Sequence, residues 1–347
     1  MWHCSLHLCR QSSRTTMCAC LGAFVRTSAA RNDDGEKSVA NRTVGVIGLV
    51  LMGEVFSRRL IDAGQSVVGY DIDAAKGRRL ANMGGRAAAS IAEVACACDP
   101  IVLAVFDTSQ VEDVVENHIL PAVGETSRKI VLCASTCDPD RIAALGERVI
   151  PRGIRFLETP VSGTSEQVRR GDGVGLIGGD RETAAEAEAV LAILFPRRFH
   201  VGRVGDGGRT KLAVNLILGL NRMALAEGLV FARRLGLDPA AFLPVAKESA
   251  AYSQIMDVKG GKMLNGDFAP EGRVRQTLKD VHLMLEQAKR HGQSLPMLNV
   301  HCDVLEACVR AGEADLDNSA VIKEIARRQE PMLSNESHER PSQNTVV

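Results

Sequence analysis

Aromatic residues are scarce in this chain: of 347 positions, one is Trp, two are Tyr and nine are Phe. Proteins that stack nucleobases need such rings, so a base-stacking platform is excluded as the main surface. Charge of one sign is also missing, because 42 Lys and Arg face 42 Asp and Glu. That balance argues against nucleic acid or an anionic membrane as the principal partner. A disulfide framework is absent too. Cys4, Cys9, Cys18 and Cys20 crowd the start, while Cys96, Cys98, Cys133, Cys137, Cys302 and Cys308 sit in apolar segments. Buried free thiols in a reducing compartment, the cytoplasm, fit that distribution. No metal site is expected: one of Cys133 and Cys137 falls in a strand, and no matching second pair follows. No hydrophobic run looks long and clean enough to span a bilayer.

The length suits two domains with real cores. Residues 1–42 stand apart. They carry Arg10, Arg14, Arg26 and Arg31, many Ser and Thr, and no acid before Asp33. This composition resembles a mitochondrial transit peptide, which would place the protein in the matrix; an over-long start of the reading frame explains it equally well. The polar tail 330–347 is expected to be disordered. Between them, residues 43–205 and 206–329 read as two domains.

The first of these alternates strands and helices. Val44 to Ile47 is a short apolar strand running into Gly48-Leu49-Val50-Leu51-Met52-Gly53, and a helix follows. A second strand ends at Tyr70, with Asp71 next. An acid about 20 residues beyond a glycine turn, in a βαβ unit, is the context of a dinucleotide site. Gly48 would permit the tight turn and Gly53 the close packing of helix on strand. Leu49, Leu51 and Met52 would offer backbone N–H groups to a pyrophosphate at the helix N-terminus. Asp71 would accept from the adenosine ribose and repel a 2′-phosphate, so NAD is expected over NADP. Val50 breaks the pattern where a middle glycine would let the backbone approach the pyrophosphate, and a plain strand–turn–helix without ligand is the bland alternative. Further strands are expected at Ile101–Val105 and Lys129–Cys133, with helices from Thr108 to Asn117, capped by Ser109 and Glu112, and from Pro139 to Val149. Such alternation implies a parallel sheet that binds ligands at the carboxyl ends of its strands. Phe106-Asp107 and Ser135-Thr136 fall there, either to touch a cofactor or to cap the helices behind them.

A second glycine-bearing loop, Thr159-Pro160-Val161-Ser162-Gly163-Thr164-Ser165, offers hydroxyls and free N–H groups suited to a small carboxylate, or forms an ordinary turn. One helix is expected over Arg181–Leu194. From Gly207 to Gly236 the chain reads as a single long helix, apolar nearly all round and therefore buried. Lys211 and Asn215 share one face near its start. An unpaired ammonium is costly to bury, so this face either opens on a cleft holding a polar substrate or lets Lys211 snorkel to water. Beyond it only helices are expected, at Pro239–Ser249, Val274–Arg290, Met297–Ala311 and Ser319–Arg328, with Lys279-Asp280 on a solvated face by default. The fold class is α/β followed by all-α: a Rossmann-like domain, then a helical domain opened by the long helix.

Four segments together resemble the β-hydroxyacid dehydrogenases, the group of 3-hydroxyisobutyrate dehydrogenase and tartronate semialdehyde reductase. They are Gly-Val-Ile-Gly-Leu-Val-Leu-Met-Gly from Gly45, Thr-Pro-Val-Ser-Gly from Thr159, Gly-Asp-Gly-Gly-Arg-Thr-Lys-Leu-Ala-Val-Asn from Gly205, and Leu-Lys-Asp-Val from Leu278. The resemblance implies that Ser162 and Gly163, with Thr164 beside them, hold a substrate carboxylate. It implies that Lys211 is catalytic, that Asn215 orients the substrate, and that Thr136 and Lys279 contact the cofactor. It further implies interconversion of a small 3-hydroxy acid and its semialdehyde, in a homodimer or homotetramer. A lysine whose pKa is lowered by desolvation and by the helix N-terminus could take or give the hydroxyl proton near neutral pH. Gly207 and Gly208 would let the helix begin close to the nicotinamide. Two departures stand out: Val50, and Thr164-Ser165-Glu166-Gln167 where the family continues with small residues. The rival readings are an imine reductase on the same architecture, against which Lys211 argues, and a non-catalytic nucleotide-binding scaffold, which Val50 favours.

Overall fold

The computed structural model describes residues 43–328. The expected leader and tail, and the first four cysteines, lie outside them. Nine strands form one sheet: β1 (Val44–Ile47), β2 (Val67–Tyr70), β3 (Arg86–Ala87), β4 (Ile101–Leu103), β5 (Ile130–Cys133), β6 (Arg155–Glu158), β7 (Val161–Ser162), β8 (Val174–Gly178) and β9 (Arg197–Gly202). The order is β3-β2-β1-β4-β5-β6-β8-β7, with β9 beside β8. The first six strands pair in parallel. Their buried runs, such as Ile-Val-Leu in β4 and Ile-Val-Leu-Cys in β5, are what a sheet covered on both faces requires. The chain order reverses direction across β1 and β4, which opens a crevice at their carboxyl ends. Helices α1 (Leu51–Asp62), α2 (Ala74–Asn82), α3 (Ile91–Ala97), α4 (Thr108–Asp113), α5 (Leu120–Val123), α6 (Pro139–Val149), α7 (Ser165–Arg169), α8 (Arg181–Glu186) and α9 (Glu188–Leu194) lie between the strands.

Several local expectations need correction. The cap of α4 is Asp107, which accepts from Gln110 N at 2.9 Å, while Gln110 Oε1 accepts from Phe106 N. Ser109 and Glu112 instead accept from Arg141. The expected end near Asn117 is absent: α4 passes through a π-helical stretch, 114–119, into α5, because Pro121 has no N–H for the carbonyl four residues back. The helix expected over Arg181–Leu194 breaks at Ala187, where ψ is 0°. The sheet is not wholly parallel, since β8 runs antiparallel to β6 and β7. Of the six cysteines described, Cys96 is exposed and the other five are buried free thiols.

The helical part consists of α10 (Asp206–Arg234), α11 (Pro239–Glu248), α12 (Gln254–Asn265), α13 (Val274–Arg290), α14 (Pro296–Arg310) and α15 (Val321–Arg327). Helix α12 escapes the sequence reading because Gly260-Gly261 interrupts its helix-forming pattern; in the fold, Gly260 makes room for Leu243. A buried ion pair joins α12 to the chain before α15: Lys259 Nζ donates to both oxygens of Asp317 at 2.9 Å. The long helix is not buried all round. Ala213, Ile217, Ala224 and Phe231 form an outward stripe, and Ile217 is 62% and Phe231 64% exposed. By length and composition α10 is also apolar enough to cross a membrane, contrary to expectation, with a mean hydropathy of 1.4 over its best window.

The start of α10 is fixed by a carboxylate. Glu158, the last residue of β6, is buried and accepts from the backbone N–H of Gly205 and, at 3.2 Å, of Gly208. Glu158 thus supplies acceptor oxygens to N–H groups that a helix start leaves unpaired. Gly207 and Gly208 are needed for this contact: a Cβ on Gly207 would stand 3.0 Å from Glu158 Cβ, and one on Gly208 3.0 Å from Glu158 Oε1. Both glycines pack the helix start against β6. Burial pushes the Glu158 carboxyl up to about 7, with the backbone donors opposing the rise. A carboxyl raised in the folded state stabilises most below its unfolded pKa, and that contribution is lost as pH rises toward 7. The urea midpoint of the wild type relative to Glu158→Gln should therefore fall between pH 5 and 7, by the equivalent of about 1–3 kcal/mol. Parallel midpoints across that range would contradict the assignment.

Candidate active site

A cleft of about 830 Å³ lies at the carboxyl ends of β1, β4 and β5 and continues along α10. On the sheet side, Gly48 has φ +87°, and a Cβ there would sit 2.6 Å from Ala104 O. A Cβ on Gly53 would sit 1.8 Å from Gly48 O, so both glycines are demanded by the turn itself. Val50 precedes α1 in an extended conformation (φ −86°, ψ 177°) and supplies no side-chain cap. The first N–H groups of α1, at Leu51 and Met52, therefore face the cleft without a side-chain partner, as a pyrophosphate site needs. Leu49 and Gly53 stand behind this wall rather than in it. Leu49 is buried, and its N–H donates to Asp71 Oδ2 at 2.7 Å. Asp71 Oδ1 accepts from Asp73 N, so the carboxylate is held at the cleft edge by two backbone donors. The donors and the cramped turn fit a dinucleotide.

Phe106, Ser135 and Thr136 line the same cleft at the ends of β4 and β5. Ser135 Oγ donates to Val105 O, tying the two strand ends together. Lys279 does not line the cleft. It reaches across from α13, donates to Thr136 O, lies 5.8 Å from the centre of the Phe106 ring and pairs with Asp280 Oδ1 at 3.1 Å. It thus couples the helical part to the cofactor side.

The remaining wall is built by the second glycine loop and α10. Ser162 and Gly163 line it, and Gly163 has φ +144°, a conformation glycine supplies readily. Thr164 also lines it, but its polar groups serve α7: its hydroxyl accepts from Gln167 N at 3.2 Å, and its N–H donates to Gln167 Oε1 at 2.9 Å. That capping box is the physical content of the Thr-Ser-Glu-Gln departure. Ser165 ties the loop to the helical part through Glu271 O.

Lys211 is 7% exposed, points into the cleft, and has no hydrogen bond or ion pair among the described residues. Burial brings its pKa down to about 8; the Asp280 charge opposes this and Lys279 assists it. One turn on, Asn215 Nδ2 donates to Asp280 Oδ2 at 3.1 Å, leaving Asn215 Oδ1 buried without a partner. The default reading of Asp280 as solvated is overturned: it is buried and orients Asn215. Its signal was present, since Asp280 shares the buried stripe of α13 with Val281 and Met284. Outside the cleft, His282, Cys302 and Glu306 bring ligand atoms within 4.8 Å of one another.

With this geometry established, comparison with known proteins decides the family. Residues 43–202 match the NAD binding domain of 6-phosphogluconate dehydrogenase, and residues 205–325 match the family described as NAD-binding of NADP-dependent 3-hydroxyisobutyrate dehydrogenase. L-threonate dehydrogenase from Cupriavidus necator is 31% identical over 284 residues, covering 82% of this chain and 96% of that protein. The chain belongs to the β-hydroxyacid dehydrogenase family. Within it, a 3-hydroxyisobutyrate dehydrogenase structure from Salmonella typhimurium superimposes with a TM-score of 0.73 at 25% identity, covering 81% of this chain and 99% of that one. Cytokine-like nuclear factor N-PAC from Pongo abelii is 28% identical, across 84% of this chain but 52% of that protein. As a family member the chain is an NAD(P)-dependent oxidoreductase of the hydroxyacid type.

Val50 is 41% exposed on the cleft wall, in a backbone conformation that does not itself demand glycine. Its isopropyl group occupies room beside the uncapped N–H groups. Val50→Gly should tighten NAD binding by roughly 3- to 10-fold in calorimetric titration. Unchanged or weaker binding would show that the side chain is no obstruction.

Proposed function

We propose that this enzyme interconverts a small 3-hydroxy acid and its semialdehyde, with NAD as cofactor and Lys211 as general acid and base. The observation that carries the reading is a desolvated amine without a protein partner, opening on the cleft that the sheet and α10 share. When bound, the nicotinamide accepts or donates the hydride. In the oxidative direction neutral Lys211 takes the proton of the substrate hydroxyl; in the reductive direction its ammonium returns a proton to the forming alkoxide. Asn215, held by Asp280 through one amide hydrogen, has the second Nδ2 hydrogen to donate to the substrate oxygen and adds no charge. The Ser162 hydroxyl and Gly163 N–H receive the carboxylate, while Thr164 shapes the loop through its capping box.

NAD is favoured over NADP because Asp71, followed by Ile72, lines the cleft where a 2′-phosphate would meet a carboxylate. A homodimer or homotetramer, in which a second copy covers the outward stripe of α10, accounts for the exposure of Ile217 and Phe231. The buried thiols suit a reducing compartment, the cytoplasm. The scaffold reading gains from Val50, but it leaves a buried, unpartnered Lys211 without a purpose.

Lys211→Ala should lower kcat by roughly 10²-fold or more while leaving NAD affinity nearly unchanged. Because the amine titrates at about 8, kcat/KM for oxidation should climb with pH and level above that value. For reduction it should decline above the same point. Near-normal turnover in the variant would remove Lys211 from the mechanism.

A further inference from the structure

The cleft does not end at Asn215. The face of α10 that carries Lys211 and Asn215 continues through Gly219 to Arg222, and all four line the cleft. Arg222 is 4% exposed, its Nε has no hydrogen-bond partner, and no hydrogen bond or ion pair to its guanidinium exists among the described residues. The acid whose charge acts on it is Asp317, whose carboxylate is already engaged by Lys259 and by the N–H groups of Glu271 and Gly272. Facing Arg222 from α14 is His301, 1% exposed, with neither ring nitrogen hydrogen-bonded. Burial, reinforced by the Arg222 charge, takes the His301 pKa down to about 3, so the ring is neutral and offers one donor and one acceptor.

Gly219 makes this arrangement possible. A Cβ there would stand 2.7 Å from His301 Cε1 and 3.8 Å from Arg222 Nη2. The guanidinium therefore reaches back to the level of Gly219, two helical turns, or about 12 Å of rise, beyond Lys211. Buried polar atoms in native proteins are satisfied, and buried charges are paired. Here a full positive charge and a neutral ring with one N–H to donate converge on one open cavity, a pattern that a bound anion completes.

We propose that Arg222, with His301, forms a second anion subsite that receives the far end of the substrate. The preferred substrate is then a hydroxy acid bearing a second acidic group at the end of an extended chain, its first carboxylate held at Ser162 and Gly163. This rests on the reading of Lys211 and adds a substrate class to it. Arg222 is a specificity residue and does not touch the reacting atoms.

The test compares chains of equal length with and without the second acid. In the wild type, 2-(hydroxymethyl)adipate and 2-(hydroxymethyl)suberate, whose primary alcohols oxidise to semialdehydes, should exceed 2-(hydroxymethyl)hexanoate and 2-(hydroxymethyl)octanoate in kcat/KM by about ten-fold or more, through KM. Unreactive suberate should bind the NAD-loaded enzyme more tightly than octanoate by a similar factor in calorimetry. Arg222→Met should erase both preferences; Arg222→Lys should keep part of them. A wild type without the preference overturns the subsite, even if the methionine variant does not fold. So does a methionine variant that keeps the preference. Intact NAD binding with no turnover of any of these acids would instead overturn the Lys211 reading beneath it.

Discussion

A single buried carboxylate fixes the geometry of this protein. Glu158 ends a strand of the sheet and receives the first N–H groups of α10, and so decides where that helix begins. Every residue of the site on α10 is counted from that point: Lys211 one turn in, Asn215 a turn later, Gly219 and Arg222 beyond. The contact is close because Gly207 and Gly208 bring no side chains to it. The same helix start is tied to α6 by Arg209, which donates to Asp140 at 2.8 Å, while Arg290 and Gln287 of α13 reach Asp138 and Asp140. The sheet and the helical part thus present their walls of the cleft in one fixed relation.

From there the chemistry follows from what is left unpaired. The protein pairs buried charges such as Lys259 and Asp317. Three groups along the cleft are exceptions. Lys211, Asn215 Oδ1 and Arg222 are all left for something the protein itself does not supply. Desolvation, assisted by the Lys279 charge, brings Lys211 into the range where proton transfer in both directions is feasible, and Asp280 restrains how far it falls.

Much of this was legible in the sequence. The βαβ unit with Asp71 is readable because strand, glycine turn and acid are local features, and Lys211 with Asn215 because helical spacing puts them on one face. Glu158 was not legible, because its partners lie 47 and 50 residues away and are backbone groups. The partner of the Leu49 N–H was hidden for the same reason: a motif gives residue types but not which neighbour each one meets. The exposed stripe of α10 was hidden by its composition, since apolar residues lie on both its inner and outer faces. Arg222 could have been found by extending the Lys211–Asn215 spacing by two more turns. His301 could not, as it arrives from α14.

The central claim is that the Lys211 amine is desolvated within the cleft and therefore titrates near neutrality. NMR titration of lysine side-chain amines in protein labelled at those nitrogens reads this directly. The account predicts one amine with a pKa of about 8 whose signal disappears in Lys211→Met. If instead the signal lost in that variant titrates near the ordinary lysine value of 10.5, the amine is solvated and the account is contradicted.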